Sequence, residues 1–258
     1  MRVTLLLTVC VVTAGLMTGC EKKHPSGKTE LLLFCGAGLR PPVAELAETF
    51  GREHGIEVVT DYAGAEVLLS KIMLGGRGDL YMPGDREFVC HAAEKGLILY
   101  QKSVCYFVPT ILVQKRNPKK IGGLRDLIKP GVKLGLGNPR NLPVGRIAKR
   151  IFEKNKISWT DIERNLKFQS ATVNVLGMQI QAKALDAVIV WDAIARYYSE
   201  YGEEVPVPLD QNVISTVDIG ILKFTEHKEL AEKFVDFVTS EQGQKIFKKY
   251  EYRTEAPN

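Results

Sequence analysis

Five stretches of the chain put small or backbone-exposing residues where a strand should end and a helix should begin. They are Gly36-Ala37-Gly38, Tyr62-Ala63-Gly64-Ala65, Asn141-Leu142-Pro143-Val144-Gly145, Thr172-Val173-Asn174-Val175 and Trp191-Asp192. Glycine and alanine let another group approach the main chain. A helix start offers N–H groups without intrahelical acceptors, at the positive end of its dipole. Several such starts aimed at one point make an anion site that needs no charged side chain. Each junction alone could be a tight structural turn; their number carries the argument.

Other chemistries find less support. There is no GxSxG, HExxH or P-loop, and GLGNPR at 135–140 lacks the third glycine of a dinucleotide fingerprint. His24 lies in a polar stretch near the start, and His54, His91 and His227 fall on predicted helices away from the junctions. Cys35 is the one nucleophile candidate. It has no base partner in view, and an enzyme would need it open to solvent. Adjacent phenols at Tyr197-Tyr198 suit a hard trivalent metal such as ferric ion. That pair lies six and seven residues past Trp191, inside a predicted helix, where a supporting role is expected. No cofactor is expected.

The elements that must position the junctions follow from periodicity. Apolar runs predict strands at LLLFC (31–35), IEVVT (56–60) and DLYM (79–82), alternating with helices at about 42–54, 65–74 and 86–95. This is an α/β pattern with a largely parallel sheet. Residues 104–114, VCYFVPTILVQ, form one long β-rich run whose central Pro109 marks a crossing into a second lobe. A second α/β set follows: a strand ending at KLGLG, helices at RIAKRIFEK and TVNVLGMQIQAKA, then strand DAVIVWD running into a helix through Ala193–Tyr201. PVPLD and the β-rich VISTVDIGIL lead back to the first lobe, and helices at about 228–239 and 241–250 close the pattern. Two lobes joined by two crossing segments enclose a cleft, with boundaries expected at 29–107 plus 212–258 for lobe 1 and 108–211 for lobe 2. Ligands of open α/β sheets bind beyond the carboxyl ends of the strands, which is where the junctions fall.

The N-terminus is read as a targeting segment. MRVTLLLTVCVVTAGLMTGC has one basic residue, an apolar stretch and small residues before Cys20. It looks like a bacterial lipobox, which implies a signal over 1–19, lipidation of Cys20 and a polar tether to residue 28. The formal net charge is +5, of which Arg2 carries +1 and the tether +2, leaving about +2 on the folded part. That is no basic field for nucleic acid; the tether's charge suits an anionic membrane surface. Cys35, Cys90 and Cys105 match no metal or CxxC spacing and are expected as small buried hydrophobes, against one disulfide plus a free thiol.

The stretches FCGAGLRPPVAELAETFGREHGIEV, YAGAEVLLSKI, GDLYMPGD, GNPRNLPVGRIAKRIFEK and DAVIVWDA resemble the periplasmic molybdate-binding proteins of ABC transporters, type II solute-binding proteins. The resemblance runs from Leu31 nearly to Tyr250. It implies a two-lobed periplasmic binding protein fold, a monomer that delivers a small oxyanion to a membrane permease, and no catalysis. In that family two serine hydroxyls, several backbone N–H groups and a tyrosine hydroxyl hold the oxyanion. Carried over by position, the serines fall at Gly38 and Ala65, the backbone contacts at Val144 and Val175, and the tyrosine at Trp191. All three hydroxyls are absent here, though the Trp191 indole N–H can donate in place of the phenol. Glu66 and Asp192 put carboxylates beside the site, either favouring a helix's first turn or in need of pairing. Arg40, at the mouth of the first loop, and Arg140 and Arg146, around the third, can offer a fork to an oxyanion or neutralise those acids. The resemblance implies molybdate or tungstate as ligand, with sulfate and ferric ion as the alternatives.

Overall fold

The computed structural model describes residues 29–257. Residues 1–28, with the expected signal, the expected lipidation at Cys20 and the expected tether, lie outside the described residues.

Two five-stranded sheets organise the chain. In the first, β1 (Glu30–Gly36) runs parallel to β2 (Glu57–Ala63) on one side and β3 (Leu80–Met82) on the other. Next to β3 comes β10 (Ser215–Leu222), antiparallel both to it and to the edge strand β4 (Ile98–Phe107). The second sheet repeats this plan. β6 (Leu134–Gly137) runs parallel between β7 (Leu166–Ser170) and β8 (Ala187–Trp191). β5 (Pro109–Gln114) is antiparallel to β8 and to the edge strand β9 (Gly202–Pro206). The reversed strand of each sheet is the one that has just arrived from the other lobe. The chain leaves the first sheet at Val108 and returns through residues 207–214. Both sheets are therefore mixed, where the strand runs predicted a largely parallel one.

Helices α1 (Arg40–His54), α2 (Ala65–Gly75) and α3 (Arg86–Glu94) follow the parallel strands of the first sheet. Helices α4 (Pro143–Lys154), α5 (Trp159–Asn165), α6 (Val173–Gln181) and α7 (Asp192–Tyr197) belong to the second. The last two, α8 (Lys228–Thr239) and α9 (Glu241–Lys249), pack back on the first lobe, where Phe234 meets Phe50 of α1 edge-on with ring centroids 5.1 Å apart. Strands β3, β6 and β8 are buried along their whole length, which is why they read as unbroken apolar runs.

The elements missed from the sequence are those whose side chains meet water. The first half of β4, ILYQKS, lies partly exposed, and β9 carries Glu203 and Glu204 along an edge. Helix α5 and β7 (TDIERNLKFQS) alternate exposed and buried positions with charges interspersed. The predicted helix through Tyr201 stops at Tyr197, because Gly202 opens β9. The run 104–114 is two strands in different sheets. Pro109 needs no N–H as the first residue of β5, and the Asp192 N–H bonds the Val108 carbonyl at 2.8 Å. Among the described residues Cys35, Cys90 and Cys105 are free thiols, Cys35 and Cys105 buried and Cys90 half-buried. No helix of the described residues is long and apolar enough to cross a membrane.

Candidate functional site

Helices α2, α4 and α6 begin at one place between the sheets. Their N-cap residues are Gly64, Leu142 and Thr172, and none caps its helix through a side chain. First-turn N–H groups thus keep their donor capacity, though in α4 Pro143 has none and the Gly145 N–H already donates to the Leu142 carbonyl at 3.0 Å. Helix α4 reaches this position because Gly145 lies against the end of β6; a Cβ there would stand 2.2 Å from the Gly137 carbonyl oxygen. Only glycine permits that approach, which gives the glycine of Pro143-Val144-Gly145-Arg146 a structural reason.

The turn Gly36–Leu39, Ala63-Gly64-Ala65, Leu142-Pro143, Val173, Phe107 and Trp191 line a single small space. No ionisable side chain lines it. Its volume is about 20 Å³, room for roughly one water. The walls come from both lobes and touch. A Cβ on Gly64 would stand 2.7 Å from the Ala171 carbonyl oxygen and 3.4 Å from that of Asn141. Trp191, 2% exposed, stacks on Phe107 with centroids 4.7 Å apart and planes at 21°. The pyrrole edge of its indole faces Gly38, where a Cβ would stand 3.5 Å from Cδ1 and 3.8 Å from Nε1.

Two buried tyrosines hold the loops on the first-lobe side. Tyr81 Oη donates to the Ala65 carbonyl at 2.9 Å, and Tyr252 Oη donates to the Gly38 carbonyl. Burial pushes both phenols well above their ordinary pKa, so they stay neutral donors. Nothing local in the sequence signals either tyrosine, since each acts over a long sequence separation.

Gly38, Ala65 and Trp191 are therefore brought together. Val144 is buried as the second residue of α4, one place past the lining residue Pro143. Val175 is half-buried in the first turn of α6, where the lining residue is Val173. Arg40 does not line the space; it is exposed, with its guanidinium 4.2 Å from the centre of the Tyr62 ring. Arg140 is also exposed. Arg146 bridges the lobes, 4.1 Å from the centre of the Phe88 ring and 3.7 Å from Glu87 Oε2. Arg150 of the same helix pairs with Glu87 Oε1.

The two acids separate. Glu66 lines an adjacent groove with Asp85, Arg146 and Arg150, outside the apolar space. Asp192, 1% exposed, accepts from the Ala193 N–H, from Arg196 Nη2 at 2.9 Å and from Arg253 Nε at 2.7 Å. Its charge is paired, as a buried carboxylate requires.

The rival chemistries lose their geometry. Cys35 is fully buried, and burial pushes its thiol well above its ordinary pKa. Tyr197 is 71% exposed, while Tyr198 is buried and donates to the Asn174 carbonyl at 3.2 Å. The two phenols do not converge on one cleft position.

Known proteins agree with this architecture. The family described as bacterial extracellular solute-binding protein matches residues 31–253. The chain is 25% identical over 249 residues to the molybdate-binding protein ModA of Mycobacterium tuberculosis, covering 93% of each. It is 25% identical over 218 residues to a putative binding protein of Haemophilus influenzae, covering 84% of this chain and 88% of that one. A putative ABC transporter substrate-binding lipoprotein of Bacillus subtilis, YvgL, is 21% identical over 96% of each. Among solved structures, the periplasmic molybdate-binding protein of Azotobacter vinelandii superimposes with a TM-score of 0.75 at 16% identity, over 88% of this chain and all of that one. The sulfate-binding protein SubI of Mycobacterium tuberculosis gives 0.78 at 17%, over 89% and 88%. PEB3 bound to L-phospholactate gives 0.73 at 18%, over 87% and 100%. These structural likenesses establish the two-lobed fold. With the family spanning nearly all described residues, the chain belongs to the bacterial extracellular solute-binding proteins, a family that binds its cargo without transforming it.

Proposed function

We propose that this protein is the receptor of an ABC importer and binds a small tetrahedral oxyanion, molybdate or tungstate, in the cleft between its lobes. One observation carries the reading: three helix starts without side-chain caps meet on one apolar space with no ionisable lining residue. Backbone N–H groups near Gly38, Ala65, Val144 and Val175 supply the hydrogen bonds, and Trp191 forms the remaining wall. An anion is held there by oriented dipoles without a counter-charge. The space of about 20 Å³ is too small for a five-atom anion. Val173 and Trp191 therefore draw back as it enters, and the ligand ties the lobes together by touching both.

The reading includes a lipid anchor at Cys20 on a bacterial membrane, a monomeric receptor, lobe boundaries at 107/108 and 211/212, and a permease partner. The names of the ModA relatives and of YvgL support molybdate and lipidated ABC-receptor roles respectively. A second reading keeps the same site and changes the ligand to a small organic phosphate. The apolar wall of Val173, Phe107 and Trp191 favours it, since such a wall packs on carbon better than on an inorganic oxygen.

Calorimetric titration with molybdate, tungstate, sulfate and phospholactate tests the reading. Tight one-to-one binding of the first two, with sulfate weak, is the expected result. Binding of phospholactate alone selects the second reading, and silence from all four in ligand-free folded protein overturns both.

A further inference from the structure

The segment that follows α9 connects both walls of the cleft. Its backbone joins the edge of the first sheet, where the Tyr106 N–H donates to the Arg253 carbonyl at 2.7 Å. Tyr252 is buried against Phe107 and Phe247 and donates to the Gly38 carbonyl. The next residue, Arg253, donates Nε to Asp192 Oδ2 at 2.7 Å in the second lobe. Successive side chains of extended backbone point opposite ways, so two neighbouring residues can serve two lobes.

The Asp192 contact matters because of what stands beside it. Asp192 directly follows Trp191 and is 1% exposed. Left unpaired, its charge would oppose an anion at the Trp191 wall. Arg196 cannot cancel it alone. Its guanidinium lies 2.9 Å from Asp192, 3.0 Å from Glu251 and 4.0 Å from Glu204, so three carboxylates share one cation. Arg253 pairs with Asp192 alone among the described residues.

We propose that Arg253 and Tyr252 are positioning residues of the anion site. Arg253 holds and neutralises Asp192 behind Trp191, and Tyr252 keeps the Gly38 carbonyl oxygen turned into the core and away from the ligand. Both roles rest on the anion reading. A carbonyl oxygen or an uncompensated carboxylate facing an oxyanion repels it, whereas an N–H attracts it. The segment thus supplies the site's charge balance from a part of the chain that does not line the space.

The test uses purified protein with molybdate as probe, and Trp191 emission in a Trp159→Phe background as a ligand-free readout. Arg253→Ala is expected to weaken molybdate binding about tenfold, the equivalent of about 1.4 kcal/mol. Adding Asp192→Asn to it should restore most of the loss, because the charge needing compensation has gone. A purely structural tie would not be rescued in that way. Arg253→Lys, which keeps the charge, should stay within about threefold of the parent, and Tyr252→Phe should lose about three- to tenfold. Parent-like affinity in Arg253→Ala, or no rescue in the double variant, overturns the proposal. If the parent protein binds no molybdate, the molybdate reading fails separately, and the same variants are titrated with phospholactate. If it binds neither, the tie is judged by Trp191 emission alone: a shift in Arg253→Ala upholds it, and unchanged emission overturns it.

Discussion

Gly38 and Val173 face each other across the cleft so closely that a Cβ on Gly38 would stand 2.9 Å from Val173 Cγ1. The bare loop at the end of β1 is therefore matched to the far lobe. Gly38→Val is expected to hold the lobes apart and cost about 1–3 kcal/mol of closure, about five- to 150-fold in oxyanion affinity. Circular dichroism should show the fold intact, since the added methyls enter the cleft and not a lobe core. Parent-like affinity in a titration would sink the assignment of Gly38 to the site.

Trp191 should report ligand entry. It is buried against Phe107, while Trp159 sits on α5 with its indole donating to Glu163 at 2.7 Å. In a Trp159→Phe variant, saturating ligand is expected to change the intensity or wavelength of the remaining emission. A flat titration would count against Trp191 as a wall of the site.

The lobes are also tied at their surfaces through Glu87 with Arg146 and Arg150. These side chains are 35–48% exposed, so the pairing is worth about 0.2–1 kcal/mol. Glu87→Gln should weaken ligand binding about two- to fivefold at low salt, with the difference shrinking as salt screens the pair. Equal affinities at every salt concentration would remove the bridge from the closed state's energetics.

Asp85 makes a pH prediction. It caps α3 by accepting from the Glu87 N–H at 2.7 Å, yet burial raises its pKa above the ordinary carboxylate value. The folded protein therefore holds this proton more tightly than the unfolded chain. The associated stability is present below the unfolded pKa and is lost as pH rises through the folded value. Asp85→Asn keeps a capping acceptor and removes the titration. Urea melts from about pH 4 to pH 8 should show the variant gaining on the parent as pH rises; a pH-independent difference would contradict the burial argument.

Cys20→Ser should move the protein from the membrane fraction to the soluble extracytoplasmic fraction without altering ligand affinity. Persistent membrane association would exclude lipidation at that thiol.

Much of the fold was legible where a stretch is buried on every side. LLLFC, DLYM and DAVIVWD announce their strands because nothing polar interrupts them. The first half of β4, α5, β7 and β9 stayed hidden because their Lys, Glu and Gln side chains face water, and their pairing partners lie far away in sequence. The mixed sheets escaped for the same reason: hydrophobicity says that VISTVDIGIL is a strand, but not which way it runs. At the site, small residues before helix starts pointed to the junctions that hold Gly38 and Ala65, and the junction before α6 contained Val173, two residues before the Val175 that the resemblance implied. Tyr81, Tyr252 and Arg253 had no local signature. Their roles exist only after β3 and the segment beyond α9 reach the cleft.

The placement of β10 between β3 and β4 fixes an order of assembly. Strands β5 to β9 are consecutive in sequence, so the second lobe can complete its sheet from residues 109–206 alone. The first lobe cannot. Its sheet lacks an interior strand until residues 215–222 arrive, and the facing edges of β3 and β4 stay unpaired until then. Closing that gap spans the whole intervening lobe, the kind of long-range pairing that slows folding. In a chain made from its N-terminus, the second lobe can therefore stand complete while the first still waits for residues 215–222.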